Sequence, residues 1–208
     1  RMPGWPPPAR QYSLFLTNNG GLERQQPLNS SGHSSYVFDP GSPTPSVGGA
    51  SFNPWNAGIK DQKVLEARSD VLSFTLPPLQ EDLEVIGAPV AEFSFSTSLP
   101  SADLSVKLCE VSEGGKCVNV CEGYLRSSFT PNEVTRVRVE LAPTAHLFAA
   151  NRRLRVLVAS AAFPRISRNT GSGGRAEAAG EETKLWTGTM RVHHSAEHPS
   201  FLSLPVCD

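Results

Sequence analysis

Three imidazoles and a carboxylate fall within six residues in His193-His194-Ser195-Ala196-Glu197-His198. Side chains of these types hold transition metals. Their spacing argues the other way, because neighbours in an extended strand point to opposite faces. His193 and His194 would struggle to share one ion, and Pro199 keeps the following chain extended. The favoured reading is a strand end and turn whose histidines are surface or hydrogen-bonded groups. A metal site at His193, His194 and His198 ranks last. A serine nucleophile on a strained elbow needs glycine two residues before and two after it. Ser46, Ser112 and Ser172 have the following glycine, but Thr44, Glu110 and Thr170 stand at the preceding position. No catalytic residue is assigned.

Four cysteines, Cys109, Cys117, Cys121 and Cys207, are too few and too clustered for a disulfide framework in 208 residues. Free thiols in or near a sheet are expected, with a Cys109–Cys117 bridge across a hairpin as the alternative. Asp103 and Lys107 share one face of a strand with Ser105 between them. The solvated face of an edge strand is preferred there to a polar cleft. Arg136, Arg138, Arg152, Arg153 and Arg155 read as solvated or structurally ion-paired, because acidic residues are distributed to match. Trp5, Trp55 and Trp186 lie in or beside irregular segments, where an aromatic ring lines a pocket or staples a loop to the body.

The elements that must position these residues are strands. Alternating apolar and polar residues mark Tyr12–Leu16, Val71–Leu76, Val90–Ser96, Leu104–Val111, Cys117–Val120, Val134–Leu141 and Phe201–Val206. Uneven parity in the stretch from Val134 predicts a bulge near Thr135. Leu154–Ser160, apolar on both faces apart from Arg155, suits a central strand. Short helical turns near Pro143–Phe148 are the most helix expected. Residues 39–63 read as a long ordered loop, and 167–184 as a mobile one. Residues 1–10 form a Pro-rich lead-in, without the apolar core of a signal peptide. About ten short strands with uneven loops and no internal repeat favour one all-β domain over 1–208, a β-sandwich of the jelly-roll kind.

Composition narrows the function. Lys and Arg number 19 against 20 Asp and Glu, a net charge of -1, so no basic field exists to grip a nucleic-acid backbone. Charged residues at 19% and hydrophobic residues at 38% indicate a folded core. No apolar run approaches the length of a membrane span. No cofactor is implied, and the compartment is not legible.

Several strings read together resemble successive signatures of one family. They are Trp5-Pro6-Pro7-Pro8, the loop from Tyr36-Val37-Phe38-Asp39-Pro40 to Gly48-Gly49, Asp61-Gln62-Lys63, Asp70-Val71-Leu72-Ser73-Phe74, Phe163-Pro164-Arg165 with Arg168-Asn169, and Glu197-His198-Pro199-Ser200. In order and spacing the chain is similar, over nearly its whole length, to the C-terminal non-catalytic domain of the cocaine esterase and X-Pro dipeptidyl-peptidase family. The resemblance implies a galactose-binding-domain-like jelly roll that follows an α/β-hydrolase domain bearing the Ser-Asp-His triad. The partner implied is thus that catalytic domain of the same protein, whose parent is compatible with a homo-oligomer. It further implies that the stretch after Gly48-Gly49 packs on the hydrolase domain near its acyl pocket. Phe52 is the best match for a substrate-binding side chain and Trp55 a weaker one. An exposed apolar patch around residues 40–60 is expected on that account. The rival reading is an independent carbohydrate-binding module that uses Trp55 and Trp186.

Overall fold

The computed structural model describes residues 4–173 and 184–207. Strands follow one another as β1 (Arg10–Leu16), β2 (Leu22–Glu23), β3 (His33–Phe38), β4 (Leu72–Thr75), β5 (Leu83–Gly87), β6 (Val90–Thr97) and β7 (Ser101–Val111). They continue as β8 (Cys117–Ser128), β9 (Thr135–Glu140), β10 (Thr144–Phe148), β11 (Arg153–Ala159), β12 (Gly188–His193) and β13 (Phe201–Cys207). One helical turn, α1 (Lys63–Glu66), interrupts the series.

Two antiparallel sheets face each other across one core. The larger has the path β10-β5-β13-β6-β12-β3, with β1 on β13, β2 on β1 and β9 on β6; the smaller runs β4-β11-β7-β8. Period-two alternation explains the packing. Ala91, Phe93 and Phe95 of β6 point inward with Leu202, Leu204 and Val206 of β13. Against them stand Leu104, Val106 and Leu108 of β7 and Leu154, Val156 and Val158 of β11. This is the β-sandwich expected from the strand pattern.

The smaller sheet is buried on its outer face too. Leu65 of α1 plugs into a second cluster with Cys109, Val111, Cys117 and Leu157 beneath the long loop. Asp103 and Lys107 therefore lie under a roof, at 1% and 3% exposure, and are not on a solvated edge. The reason is topological: β7 lies between β11 and β8, the long loop covers it at Lys107, and Asn169 packs on it at Asp103.

Other expectations are corrected. Residues 144–148 form a strand, not helical turns, because pairing with β5 (Thr144↔Gly87 to Phe148↔Leu83) buries Phe148. The bulge expected near Thr135 is absent: β9 pairs β6 without a slip from Phe95↔Thr135 to Val90↔Glu140, and Val134 precedes the strand. The register shift occurs instead in β7–β8, at Leu108/Cys109. All four cysteines are free, and burial raises the Cys109 thiol well above its ordinary range. Of the polar stretch 167–184, Asn169 and Thr170 are buried, and residues 174–183 lie outside the described residues. Among the described residues no helix is long and apolar enough to cross a membrane.

Candidate functional site

The outer face of β7–β8 carries a polar stripe that fastens two loops. The Arg126 guanidinium grips Asp103 bidentately, at 2.8 Å from Nε to Oδ1 and 2.7 Å from Nη2 to Oδ2. Tyr124 Oη also donates to Asp103, and Asn169 Nδ2 donates to it at 2.8 Å. One buried carboxylate thus holds β8 and the start of the 167–173 segment to the sheet. Burial, with the Asp103 charge beside it, pushes the Tyr124 phenol well up, so it stays protonated and donates. Further along, Glu122 accepts from Lys107 on one side and Arg165 on the other. Lys107 Nζ also donates to Val47 O at 3.1 Å, which ties the roof loop to the same stripe.

Above the stripe, the loop narrows to a stem and then projects a tip. Gly49 and Gly58 close the stem by reciprocal N–H···O bonds of 2.8 and 2.9 Å. The turn beyond them is set by Asn53, whose Oδ1 accepts from Trp55 N at 3.0 Å and whose carbonyl accepts from Asn56 N at 2.9 Å. Asn56 faces back to the stem, donating to Ser46 O at 3.0 Å and accepting from Gly48 N at 3.2 Å. Gly49 is required here. Its φ is +73°, and a Cβ there would collide with the Glu122 carboxylate.

The expected apolar surface around residues 40–60 is present. Phe52 is fully exposed and Trp55 85% exposed at the tip, with Ile59 and Val64 exposed on the descending side. The parallel bridge Pro45↔Phe163 puts half-exposed Phe163 beside the stem. Sequence reasoning singled out Phe52 and Trp55, and Lys107 only as a residue on a solvated edge, but not Ile59, Val64 or the anchor Glu122. Trp5 and Trp186 stay partly exposed elsewhere, Trp186 N bonding to Thr170 O at 2.8 Å. The amides beside Trp55 are engaged within the loop, which leaves little of the convergent polar lining a sugar site needs.

His193 and His194 are hydrogen-bonded side chains. His193 Nε2 bonds Ser96 Oγ at 2.9 Å, and His194 Nε2 bonds Ser34 Oγ at 3.0 Å while its ring lies edge-on to Phe74. Among the described residues no group of three or more ligands could hold a metal ion. Burial first, then neighbouring His33 and His198, lower the His193 pKa to about 4. An unfolded histidine titrates near 6.5, so between these values the unfolded chain binds more protons. Stability is fully present above about pH 6.5 and falls as the pH drops towards 4. The unfolding free energy from urea titration is expected to be lower at pH 5 than at pH 7.5, by about 1 kcal/mol once solvent screening of the partly exposed ring is allowed for. His193→Gln should reduce the difference, leaving the part due to His194, whose pKa burial also lowers; an undiminished pH dependence in that variant would assign it to other groups.

Comparison with known proteins fits this architecture. Residues 1–203 match the family described as the X-Pro dipeptidyl-peptidase C-terminal non-catalytic domain. Cocaine esterase of Rhodococcus sp. (strain MB1 Bresler) is 28% identical over 222 residues, covering 97% of this chain and 38% of its own length. A crystal structure of an aminopeptidase from the marine sediment archaeon Thaumarchaeota archaeon superposes with a TM-score of 0.90 at 27% identity, over 100% of this chain and 38% of that one. An α-amino acid ester hydrolase superposes with a TM-score of 0.84 at 28% identity, over 95% and 36%. The chain thus spans little more than a third of the length of these relatives. Matched along its length and at high structural similarity, this β-sandwich chain belongs to the X-Pro dipeptidyl-peptidase C-terminal non-catalytic domain family.

Proposed function

We propose that this chain is the accessory sandwich of a serine hydrolase that cleaves ester or amide bonds. It buries the face around residues 46–64 against an α/β-hydrolase catalytic domain of the same protein, and Phe52 and Trp55 help wall the acyl pocket. The observation that carries this reading is the fully exposed Phe52 with Trp55 on a tip whose stem is clamped to the sheet. An apolar pair held out on a fixed stem is costly to leave in water. Burying each ring contributes about 1.5–3 kcal/mol to an interface. Water excluded from that side of a cleft also strengthens the electrostatics of acyl transfer within it.

The test compares this chain with the full-length protein on p-nitrophenyl acetate and butyrate. The isolated chain is expected to be silent and the full-length protein active. Phe52→Ala with Trp55→Ala in the full-length protein is expected to raise KM about tenfold, equivalent to losing about 1.4 kcal/mol of binding. Turnover by the chain alone, surviving repurification, would overturn the accessory role. An unchanged KM in the double variant would remove Phe52 and Trp55 from the pocket. Millimolar binding of a simple sugar, abolished by Trp55→Ala, would favour the carbohydrate-binding alternative.

A further inference from the structure

We infer that Asn119 is the positioning residue that aims the Phe52–Trp55 tip, and that it sets substrate affinity without touching substrate. This rests on the docking reading above. Asn119 is buried on the outer face of β8, directly below the stem. Its Oδ1 accepts from Lys60 N at 2.8 Å and from Gln62 Nε2 at 3.0 Å, while its Nδ2 donates to Gly58 O at 3.1 Å. Those three bonds secure the descending side. Gly48 of the ascending side lies so close that a Cβ there would stand 2.6 Å from Asn119 Oδ1 and 2.7 Å from Gly58 O, at a φ of +71°. One side chain therefore contacts both sides of the stem.

The chemistry selects a carboxamide. The site asks for two acceptances at one atom and a donation from a second atom on the same branch, which a hydroxyl, with one oxygen, and an ionised carboxylate, with no donor, do not provide. The substitution Asn119→Asp would set a carboxylate oxygen against the Gly58 carbonyl. Gln62, itself fully buried, extends the clamp: its Nε2 also donates to Lys60 O at 2.8 Å. The tip beyond closes on the stem through Asn53 and Asn56, so the stem's orientation is transmitted to the rings. Misplacing a substrate-lining group by about 1 Å is enough to weaken binding or turnover severely.

The experiment uses the full-length protein with Asn119→Ala, Asn119→Asp and, as a variant acting from the loop side without altering β8, Gly48→Ala. Two readouts are taken: chymotryptic cleavage after Phe52 and Trp55, and kinetics on p-nitrophenyl butyrate. Cleavage at the tip is expected to rise about tenfold or more in each variant, with thermal unfolding still cooperative. KM is expected to rise about tenfold with kcat within about twofold, and Asn119→Ala added to the Phe52→Ala/Trp55→Ala background should raise KM no further. Unchanged cleavage, or a KM increase that simply adds to that of the tip variant, would overturn the inference and leave the docking reading standing. Faster tip cleavage with no KM effect from the tip variant itself would instead sink the docking reading and retain Asn119 only as the clamp.

Discussion

Glu122→Ala is expected to destabilise the folded chain by about 3–5 kcal/mol, because it strands a buried ammonium. The Lys107 and Glu122 side chains are 4% and 9% exposed, and without the carboxylate Lys107 keeps only the carbonyl of Val47. Attraction between the pair offsets their desolvation, so removing one partner costs far more than removing both. Lys107→Met with Glu122→Leu should recover most of the loss. Arg165, the second partner of Glu122, is partly exposed and can turn to water. Urea unfolding of the three proteins checks this. A loss below about 1 kcal/mol in Glu122→Ala would mean that Lys107 reaches solvent and that the roof loop is not seated as described. The damage should extend to the tip, since Glu122 lies under Gly49.

That pair also shows where the sequence stops being readable. The strands with clean alternation, β6 and β7 among them, were visible because one face had to be apolar along their length. The shorter and more polar β3, β5 and β10 were not, and of β12 only the end at His193 was, since tertiary pairing and not local pattern makes them strands. The ion pairs were hidden for a sharper reason. Continuing the register of the 112–116 turn, where Val111 faces Cys117, would set Lys107 opposite Cys121 and Asp103 opposite Leu125. The slip at Leu108/Cys109 advances the partner by one residue, so Lys107 faces Glu122 and Asp103 faces Arg126. A single bulge thus converts two mismatched cross-strand pairs into two charge pairs, and nothing in the local sequence announces it. Phe52 and Trp55 were legible through the resemblance and through their setting in a Pro- and Gly-rich loop. Ile59 and Val64 gave no such signal, because single apolar residues in loops are common.

Asp103→Ala is expected to cost about as much, about 3–5 kcal/mol, by a different route. The carboxylate is wholly buried and accepts from Arg126, Tyr124 and Asn169. Its loss leaves the Tyr124 hydroxyl and the Asn169 amide without this acceptor, while the Arg126 guanidinium, 37% exposed, can turn to water. Asp103→Asn should be nearly as damaging: the shape is kept, but the new amide NH2 points donors at donors. The location of the damage separates this variant from Glu122→Ala. Asn169 and the carbonyl of Ser167, which accepts from Arg126, belong to the segment that follows Phe163 and Arg165. Hydrogen exchange is therefore expected to quicken at residues 167–173 before the stem at Gly49 and Gly58 responds. Equal acceleration at both places would make the stripe one cooperative unit; none at 167–173 would mean that Asp103 does not hold that segment. In the expected case the face around the tip is fastened at two separate points, each a buried carboxylate on the β7–β8 hairpin. Loss of either should then alter the Phe52–Trp55 surface only through the loop it secures.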